Sequence, residues 1–280
     1  MFLVAFLIGV LVGLAPQSGS DWKSLAPGME LGRLMTKNPS SVGDSRIIVV
    51  RIDPTLWQLE LLGRGATGDP EGQTAREWAK GYGLAVATNA GMFGSDYNTH
   101  IGYMEFRGQV NASRVNEYQS VAAFDPREQG SKPPFRIFDL DRQGVTVETI
   151  RQDYASLVQN LRLVRRPGEN CWGRQVNKWS EAALGEDKDG KILFVFCRSP
   201  FSMYDLNREL LSAGIGLVAL QHLEGGPEAQ LFLSVGDFEL ELFGSYETSF
   251  REDDGNTTPW PIPNVLGIKR KAAPDSFTRF

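Results

Sequence analysis

Short apolar runs, separated by turns rich in Gly, Pro and Asn, recur along the chain and predict strands joined by tight turns. The first two, at residues 46–53 and 56–62, are separated only by Pro54 and Thr55 and predict a hairpin. Residues 84–88 are continuously apolar, which is typical of a strand buried on both faces. Further strands are predicted at residues 101–110, 120–124, 135–140, 192–197, 216–221, 231–233 and 265–268.

Two stretches carry the start signal of a helix. Residues 74–81 open with Thr74 and place Glu77 three residues later, which is the pattern of a capping box. Residues 202–211 open with Ser202 as the N-cap and end before an Ala-Gly pair. Both segments are therefore predicted to be short helices on the outside of the strands.

A strand, a helix and a strand follow one another within residues 192–221. This order predicts a βαβ-like unit whose two strands are parallel neighbours. A further helix is predicted at residues 153–164, although the apolar spacing there is irregular. Early strands and this later unit predict an α+β fold, with a mixed β-sheet core and flanking helices.

The first residues differ from the rest of the chain. Residues 2–15 are apolar and uncharged, which is too short for a membrane span of about 20 residues but matches the core of a signal peptide. No Lys or Arg precedes the run, so a retained N-terminal anchor is the alternative. We expect residues 1–20 to be a signal peptide or membrane anchor, residues 21–45 an approach segment, and residues 46–280 a single domain.

This leader predicts an exported protein, in the periplasm, in the cell envelope or secreted. Cys171 and Cys197 fit that location, since they could form one disulfide. The net charge of −5, without a basic block, argues against nucleic-acid binding. Only two histidines and two cysteines are present, none at ligand spacing, and no calcium-loop motif occurs, so no metal and no cofactor are predicted.

Two glycine-bearing loops each follow an apolar strand. The first glycine loop, residues 89–93, reads Asn-Ala-Gly-Met-Phe, and the second glycine loop, residues 222–228, reads His-Leu-Glu-Gly-Gly-Pro-Glu. Glycines let a ligand or a second backbone approach closely, although such loops also serve as plain turns. Ligands gather at the carboxyl ends of strands, so both loops are candidate site elements.

These two loops, with the segment around Arg174 and residues 180–185 between them, resemble the phosphodiester glycosidase family over most of residues 45–270. The common family form of the second loop is Asn-Leu-Asp-Gly-Gly-Gly-Ser. Here His222 replaces Asn, Glu224 replaces Asp, Pro227 replaces the third Gly and Glu228 replaces Ser. The resemblance implies cleavage of a sugar from a phosphodiester, and the departures put the substrate in doubt more than the site.

Glycosyl transfer usually needs a pair of carboxyl groups. Glu224 is the first candidate, and its partner is either Glu181 or Glu228. The resemblance assigns Arg174 to phosphate stabilisation, since a guanidinium meets phosphate oxygens with two hydrogen bonds. Arg198, just after a strand, is the alternative, and either arginine could be an ordinary surface residue.

The two histidines lie at or just after the two loops. His222 is a candidate for proton transfer or a phosphate contact, and His100 for substrate binding. Asn89 could hydrogen-bond sugar hydroxyls or only cap a turn. Gly91, Gly225 and Gly226 would allow the backbone to approach the substrate.

The leading hypothesis is an exported hydrolase that acts on a small or polymeric glycosyl phosphodiester. A carbohydrate-binding or envelope-assembly protein without turnover is the alternative, because the second glycine loop is altered. A phosphodiesterase that cuts the P–O bond is disfavoured, since such enzymes generally use a metal pair with several His and Asp ligands. Residues 2–15 could in addition anchor the protein in a membrane.

Overall fold

A computed structural model describes residues 21–64 and 72–271. The predicted leader, residues 1–20, lies outside this range. In the described part the helices are α1 (Ala75–Tyr82), α2 (Val147–Asp153) and α3 (Met203–Ser212). The strands are β1 (Asp21–Ala26), β2 (Met29–Met35), β3 (Arg46–Ile52), β4 (Trp57–Gly63), β5 (Val86–Asn89), β6 (Met104–Phe106), β7 (Gln109–Ala112), β8 (Ser120–Pro126), β9 (Phe135–Asp139), β10 (Tyr154–Asn160), β11 (Arg162–Arg165), β12 (Glu169–Asn170), β13 (Trp179–Asp187), β14 (Ile192–Phe201), β15 (Leu217–Gly225), β16 (Gln230–Val235), β17 (Phe238–Phe243) and β18 (Asn264–Arg270).

These strands form three sheets. The large sheet has eight strands in the order β1-β2-β3-β14-β13-β15-β11-β12. The second sheet has the order β7-β6-β10-β8-β9, and the third sheet has the order β17-β16-β5-β18-β4. The predicted mixture of strands and helices is present, and strands dominate it.

The main core lies where one face of each sheet meets the others. It joins Phe194 and Leu223 of the large sheet to Phe124 of the second and to Leu231 and Ile268 of the third. Each helix covers an outer face: α3 packs on the large sheet, α1 on the third and α2 on the second. Burial of apolar surface on both faces of the large sheet explains the long apolar runs of its central strands β3 and β14.

Helices α1 and α3 begin as the sequence predicts. Thr74 accepts a hydrogen bond from the backbone N–H of Glu77, and the Glu77 carboxylate accepts one from the N–H of Thr74, which completes the capping box. Ser202 accepts from the N–H of Asp205 at 3.1 Å. Each cap satisfies a backbone donor that has no partner within the helix.

The predicted hairpin of residues 46–53 and 56–62 is wrong. Strand β3 pairs with β2 and β14 in the large sheet, whereas β4 pairs with β18 in the third sheet. The Pro-Thr turn therefore carries the chain from one sheet to another. Strand β3 is apolar on both faces, which suits a central strand better than one arm of a hairpin.

The two strands that were predicted to be neighbours within residues 192–221 are not adjacent in the sheet. Strands β14 and β15 do run in the same direction around α3, but β13 lies between them and pairs antiparallel with both. Sequence analysis did not predict β13 as a strand, because Ser180, Glu181 and Gly185 interrupt its apolar pattern. Of these residues, Ser180 and Glu181 belong to the site and its supports.

Two further predictions need correction. Residues 21–45 are not an approach segment, since they contain β1 and β2 and bury Met29 and Leu31 completely. Residues 153–164 are not a helix but β10 and β11. Strand β10 lies between β6 and β8 and is buried on both faces, which hides the alternation that marks a strand.

The two cysteines are free thiols in this structure. Cys197 is buried and Cys171 is exposed, so the possible disulfide is not formed. Among the described residues, no helix is both long and apolar enough to cross a membrane.

Candidate active site

The second glycine loop connects two sheets. Strand β15 of the large sheet ends at Gly225, a single 3-10 turn covers Gly226–Glu228, and β16 of the third sheet begins at Gln230. Gly226 has a φ of 63°, in the left-handed region that favours glycine. The loop therefore places its polar side chains at the junction of two sheets.

A bulge in β15 sets the direction of these side chains. Ala182 of β13 pairs with Glu224, whereas the next residue, Ala183, pairs with His222. Leu223 is the extra residue and is fully buried in the main core. A bulge re-aims the side chains around it, which is why bulges are frequent next to active sites.

His222 and Glu181 form a buried pair. The Nδ1 atom of His222 lies 2.6 Å from Oε1 of Glu181, and the indole N–H of Trp179 donates to Oε2 at 2.7 Å. Glu181 is only 2% exposed, so it is not the solvated turn residue that acidic side chains usually are. Both oxygens of Glu181 are used to hold its neighbours, and its geometry is that of a group that orients His222.

The pKa of His222 is raised by this environment. Burial opposes the charged imidazolium, but the negative charges of Glu181, Glu224 and Glu247 outweigh burial and favour the proton. Within the described ranges no side chain or backbone group bonds to Nε2 of His222. When protonated, the His222 ring can therefore direct Nε2–H toward an anionic ligand.

Glu224 carries the largest carboxyl shift of the site. Burial raises the pKa of Glu224 to about 8; the positive charge of His222 opposes this change and the charge of Glu228 adds to it. The backbone N–H of Gly225 donates to Oε1 of Glu224 at 3.1 Å. The raised pKa favours the protonated carboxyl near neutral pH, which is the form that a general acid requires.

A third acidic side chain comes from outside the loop. Glu247 lies in a segment that extends the start of β13, since Ser180 N–H donates to the carbonyl of Tyr246 at 2.8 Å and Thr248 N–H to the carbonyl of Lys178 at 3.0 Å. A Cβ atom on Gly226 would lie 2.6 Å from Oε2 of Glu247. Burial raises the pKa of Glu247, and the charge of His222 opposes this effect.

Glu228 completes the acidic cluster. Burial and the charge of Glu247 both raise the pKa of Glu228. Two tyrosines are influenced by the cluster. Burial and then the charges of Glu228 and Glu224 raise the pKa of Tyr97, whose hydroxyl donates to the carbonyl of Pro261, and burial, the charge of Glu117 and the charge of Glu224 raise that of Tyr118. The candidate site thus combines four carboxyl groups and one imidazole, with two tyrosines nearby.

The first glycine loop supports this site from the third sheet. The side chain of Asn89 donates to the carbonyl of Glu228 at 2.9 Å and accepts from the N–H of Gln230 at 2.7 Å. Asn89 is 2% exposed, so both of its polar groups fix the backbone of the second glycine loop. Its predicted contact with sugar hydroxyls finds no support in this geometry.

His100 packs behind the first glycine loop. Its Nε2 lies 2.8 Å from the carbonyl oxygen of Gln159, and burial lowers the pKa of His100 to about 4. A Cβ atom on Gly91 would overlap both His100 and the side chain of Asn160, so only glycine fits there. His100 is thus a neutral packing residue that requires Gly91.

The two candidate arginines are not part of the acidic cluster. Arg174 is exposed and lies over the ring of Tyr204 at 5.6 Å, on helix α3. Arg198 donates to the Asp254 carboxylate at 2.5 Å and to the carbonyls of Phe243 and Asn256, so it holds the segment that carries Glu247. Gly225 lies against Trp179, where a Cβ atom would come within 2.9 Å of the indole ring.

Groups of three or more His, Cys, Asp or Glu side chains with metal-binding geometry do not occur within residues 21–64 and 72–271. The acidic side chains of the site instead face one another around His222. Burial raises the pKa values of Glu224, Glu228 and Glu247, and shifted pKa values are frequent at functional sites.

Comparison with protein-family models identifies the chain. The model of the phosphodiester glycosidase family matches residues 82–269, which is more than half of the chain and includes both glycine loops. The chain belongs to the phosphodiester glycosidase family. A search of curated proteins finds no match.

Solved structures agree with the fold of a phosphodiester glycosidase. The catalytic domain of zebrafish N-acetylglucosamine-1-phosphodiester alpha-N-acetylglucosaminidase, auto-inhibited by its pro-peptide, superposes with a TM-score of 0.59 at 16% identity, covering 91% of this chain and 87% of that one. A hypothetical protein from Synechocystis matches with a TM-score of 0.57 at 13% identity, over 91% and 64% of the two chains. A putative exported protein from Burkholderia pseudomallei K96243 gives 0.51 at 11% identity, over 80% and 73%.

Sequence analysis of this phosphodiester glycosidase missed Glu247, Tyr97 and Tyr118. Glu247 follows Gly244 in a stretch that sequence analysis interpreted only as a loop. In both this stretch and the second glycine loop, a strand is followed by glycine and then by a carboxylate. This shared order was the sequence signal that could have identified Glu247. Nothing in the sequence around the two tyrosines marks them, because their role depends on how the loops fold.

Proposed function

We propose that this protein is a hydrolase that cleaves the glycosidic C–O bond of a sugar-1-phosphodiester. Family membership supports hydrolysis of glycosyl phosphodiesters. The observation that carries the finer proposal is that Glu224, whose pKa burial raises to about 8, lies in the same loop as His222, whose Nδ1 is 2.6 Å from Glu181, so that an acid and a cation come together in one place. Glu224 is therefore assigned as the general acid.

In this mechanism His222 takes the cationic role that the resemblance gave to Arg174. Nε2–H of the imidazolium donates to a non-bridging phosphate oxygen, and Glu181 keeps the ring oriented and charged. A phosphate leaving group needs less protonation than an alkoxide, so one acid and one cation suffice. Glu181 acts through His222 and is a positioning residue rather than the second carboxylate.

Glu247 is the second carboxylate of the proposal. Burial raises the pKa of Glu247 but the charge of His222 opposes this rise, whereas burial and the charge of Glu247 both raise the pKa of Glu228. A water molecule attacks the anomeric carbon and gives its proton to Glu247. The C–O bond to the phosphate breaks, and Glu224 protonates the departing phosphate oxygen.

Release of free sugar from a panel of α-linked and β-linked sugar-1-phosphodiesters tests this function. We expect turnover by the protein and a loss of about 10²–10⁴-fold in kcat for Glu224→Gln, the usual contribution of a general acid. In water enriched in oxygen-18, the label should enter the sugar and not the phosphate. Glu128→Gln is the matched control, since Glu128 is exposed and outside the site.

Two outcomes would contradict the proposal. Label in the phosphate would show that the P–O bond is cut, as in a phosphodiesterase. Binding of the same diesters without turnover, by protein that unfolds cooperatively, would favour a carbohydrate-binding protein on the same fold, in line with the changes at Glu224 and Pro227.

A further inference from the structure

A cleft opens between the third sheet and the second sheet. Its walls come from the end of β4, from residues of β6 and β7, and from the loop that precedes His100. The volume is about 610 Å³, which lies within the range of ligand pockets. We call it the amide cleft, after the side chains of Asn98, Gln109 and Asn111 that line it.

The lining of the amide cleft is polar but uncharged. No charged side chain is among the described residues that form it. A side-chain amide both donates and accepts hydrogen bonds, as a sugar hydroxyl does. Phe106 and Val110, the latter 48% exposed, add apolar surface. A charged ligand would lose water here without gaining an opposite charge, so the lining favours a neutral ligand with hydroxyl groups.

The amides of the cleft have unused hydrogen-bonding capacity. Within residues 21–64 and 72–271, Oδ1 of Asn98 is buried without a partner, and the exposed side chain of Gln109 makes no hydrogen bond. Oδ1 of Asn111 accepts from the N–H of His100 at 3.0 Å, whereas its Nδ2 reaches only the carbonyl of Asn98, at 3.5 Å. Rotation of a terminal amide is easy, so Asn98 can turn its oxygen to a ligand without breaking a bond.

Asn264 supplies another unpaired amide at the same place. Its side chain is 1% exposed, and neither Oδ1 nor Nδ2 has a partner in the part of the chain that the structure describes. Asn264 pairs with Gly63 of the cleft, and its Cβ lies 3.7 Å from the position that a Cβ on Gly63 would take. Buried amides are normally hydrogen-bonded, so two unpaired ones at one cleft point to a polar ligand.

The amide cleft and the candidate active site lie along one edge of the third sheet. Gly63 ends β4 and pairs with Asn264 of β18, whose carbonyl accepts from the N–H of Ala90 in the first glycine loop. Strands β18 and β5 separate β4 from β16, which follows the second glycine loop. Three strand spacings make this separation roughly 14 Å. One sugar ring cannot reach both places, whereas a chain of sugars can.

We propose that the amide cleft binds a neutral sugar residue of a polymeric substrate, some sugar units away from the bond that is cut beside Glu224. The amides of Asn98 and Gln109 bond to its hydroxyls, and Phe106 and Val110 contact its C–H groups. That the bound polymer is the substrate rests on the proposed function, but binding of a neutral sugar chain does not.

NMR titration with neutral di- to tetrasaccharides of glucose, mannose, galactose and N-acetylglucosamine tests the subsite. The side-chain NH₂ signals of Asn98 and Gln109 report contact, and their loss in Asn98→Ala and Gln109→Ala assigns them. We expect each of these variants to bind the saccharide roughly fivefold more weakly, the loss of about one hydrogen bond. Gln152→Ala is the matched control, since Gln152 is exposed on α2, on the outer face of the second sheet.

A second measurement separates this proposal from the proposed reaction. Glu224→Gln should bind the saccharide as tightly as the parent. On diesters that the protein cleaves, a longer neutral sugar chain should lower KM, and Gln109→Ala should remove that gain with kcat unchanged. Saccharide binding without cleavage of any diester would refute the reaction and leave the subsite in place.

Three results would overturn the proposal. The first is the absence of shifts with every saccharide of the panel. The second is unchanged affinity in both Asn98→Ala and Gln109→Ala, with circular dichroism showing that they are folded. The third is tighter binding of saccharides that carry carboxylates or phosphates than of neutral ones of the same length, because the lining of the amide cleft offers no cation.

Discussion

His222 and His100 are the two histidines of the chain, and both are buried beside a glycine loop. His222 contacts a carboxylate, and its pKa is raised; His100 contacts a carbonyl, and its pKa falls to about 4. Burial alone favours the neutral ring in both places. The comparison shows that the bonding partner decides whether a buried histidine of this fold serves as a cation or as packing.

The largest expected difference between the two histidines is in activity. His222→Gln should lower kcat by about 10²–10³-fold, because the imidazolium that faces the substrate is lost. His100→Gln should change kcat by less than about tenfold, since His100 does not reach the acidic cluster. The kcat of both variants is measured on the same diester. Similar losses of kcat in the two variants would refute the proposed difference between the histidines.

The next difference is in the pH dependence of stability. The pKa of His100 is lowered in the folded protein from 6.5 to about 4, so the unfolded chain binds the proton first as the pH falls. The stability that the neutral His100 ring allows is fully present above pH 6.5. As the pH falls toward 4, the free energy of unfolding decreases by about 3 kcal/mol. Urea unfolding at a series of pH values should show the loss in the parent but not in His100→Gln.

His222 provides the control with the opposite sign. The pKa of His222 is raised in the folded protein. Its contribution to the free energy of unfolding is therefore fully present below pH 6.5 and is lost as the pH rises through the raised pKa. His222→Gln should remove that loss on the alkaline side and keep the one on the acid side. The reverse pattern would mean that the two environments are assigned to the wrong histidines.

Alanine substitutions at the glycines of the two loops should differ in whether they lower stability or activity. Gly91→Ala should cost about 1–3 kcal/mol of unfolding free energy, since His100 and Asn160 are buried and cannot move away. Gly225→Ala presses on Trp179, which is partly exposed and can shift, so it should lower activity more than stability. Thermal unfolding and kcat are measured for both.

Gly81→Ala is the control for the glycine variants. Gly81 lies in α1 with open space at its Cβ position, so alanine there should stabilise the protein by about 0.5–1 kcal/mol. A larger loss for Gly225→Ala than for Gly91→Ala in unfolding free energy would contradict the assignment of the two loops.

The smallest expected effect is on the His222 imidazole itself. Glu181→Gln should lower the pKa of His222 by about one unit, equivalent to about 1.4 kcal/mol, because the neutral amide no longer favours the charged ring. NMR titration of the imidazole measures this shift. The pKa of His100 in the same sample should stay unchanged, and a shift in both would indicate a general structural change.

Local signals of the sequence predicted local structure. The caps of α1 and α3, the buried β5 and the two glycine loops all depend on residues close in the chain, and the family resemblance is confirmed by the family match. Strand partners were mispredicted, because the pairing of β3 with β14 and of β4 with β18 joins residues far apart in sequence.

The candidate site shows the same difference between residues that are close in the chain and residues that are distant. Glu224 and His222 lie in one loop and were predicted together as candidates, whereas Glu247 reaches them only through pairing of its segment with the start of β13. Arg174 was assigned by resemblance alone and lies over Tyr204 instead. Short-range patterns cannot show which distant side chains a fold brings to a loop.

The pairing of β4 with β18 also governs when the protein can fold during synthesis. Among the described residues, strand β4 pairs with β18 alone, and β5 needs β18 on one side. A growing chain on the ribosome therefore holds an unfinished third sheet until its last strand has emerged. Because contacts of such long range form slowly, truncated chains should expose sheet edges and be degraded or aggregate rather than retain partial activity.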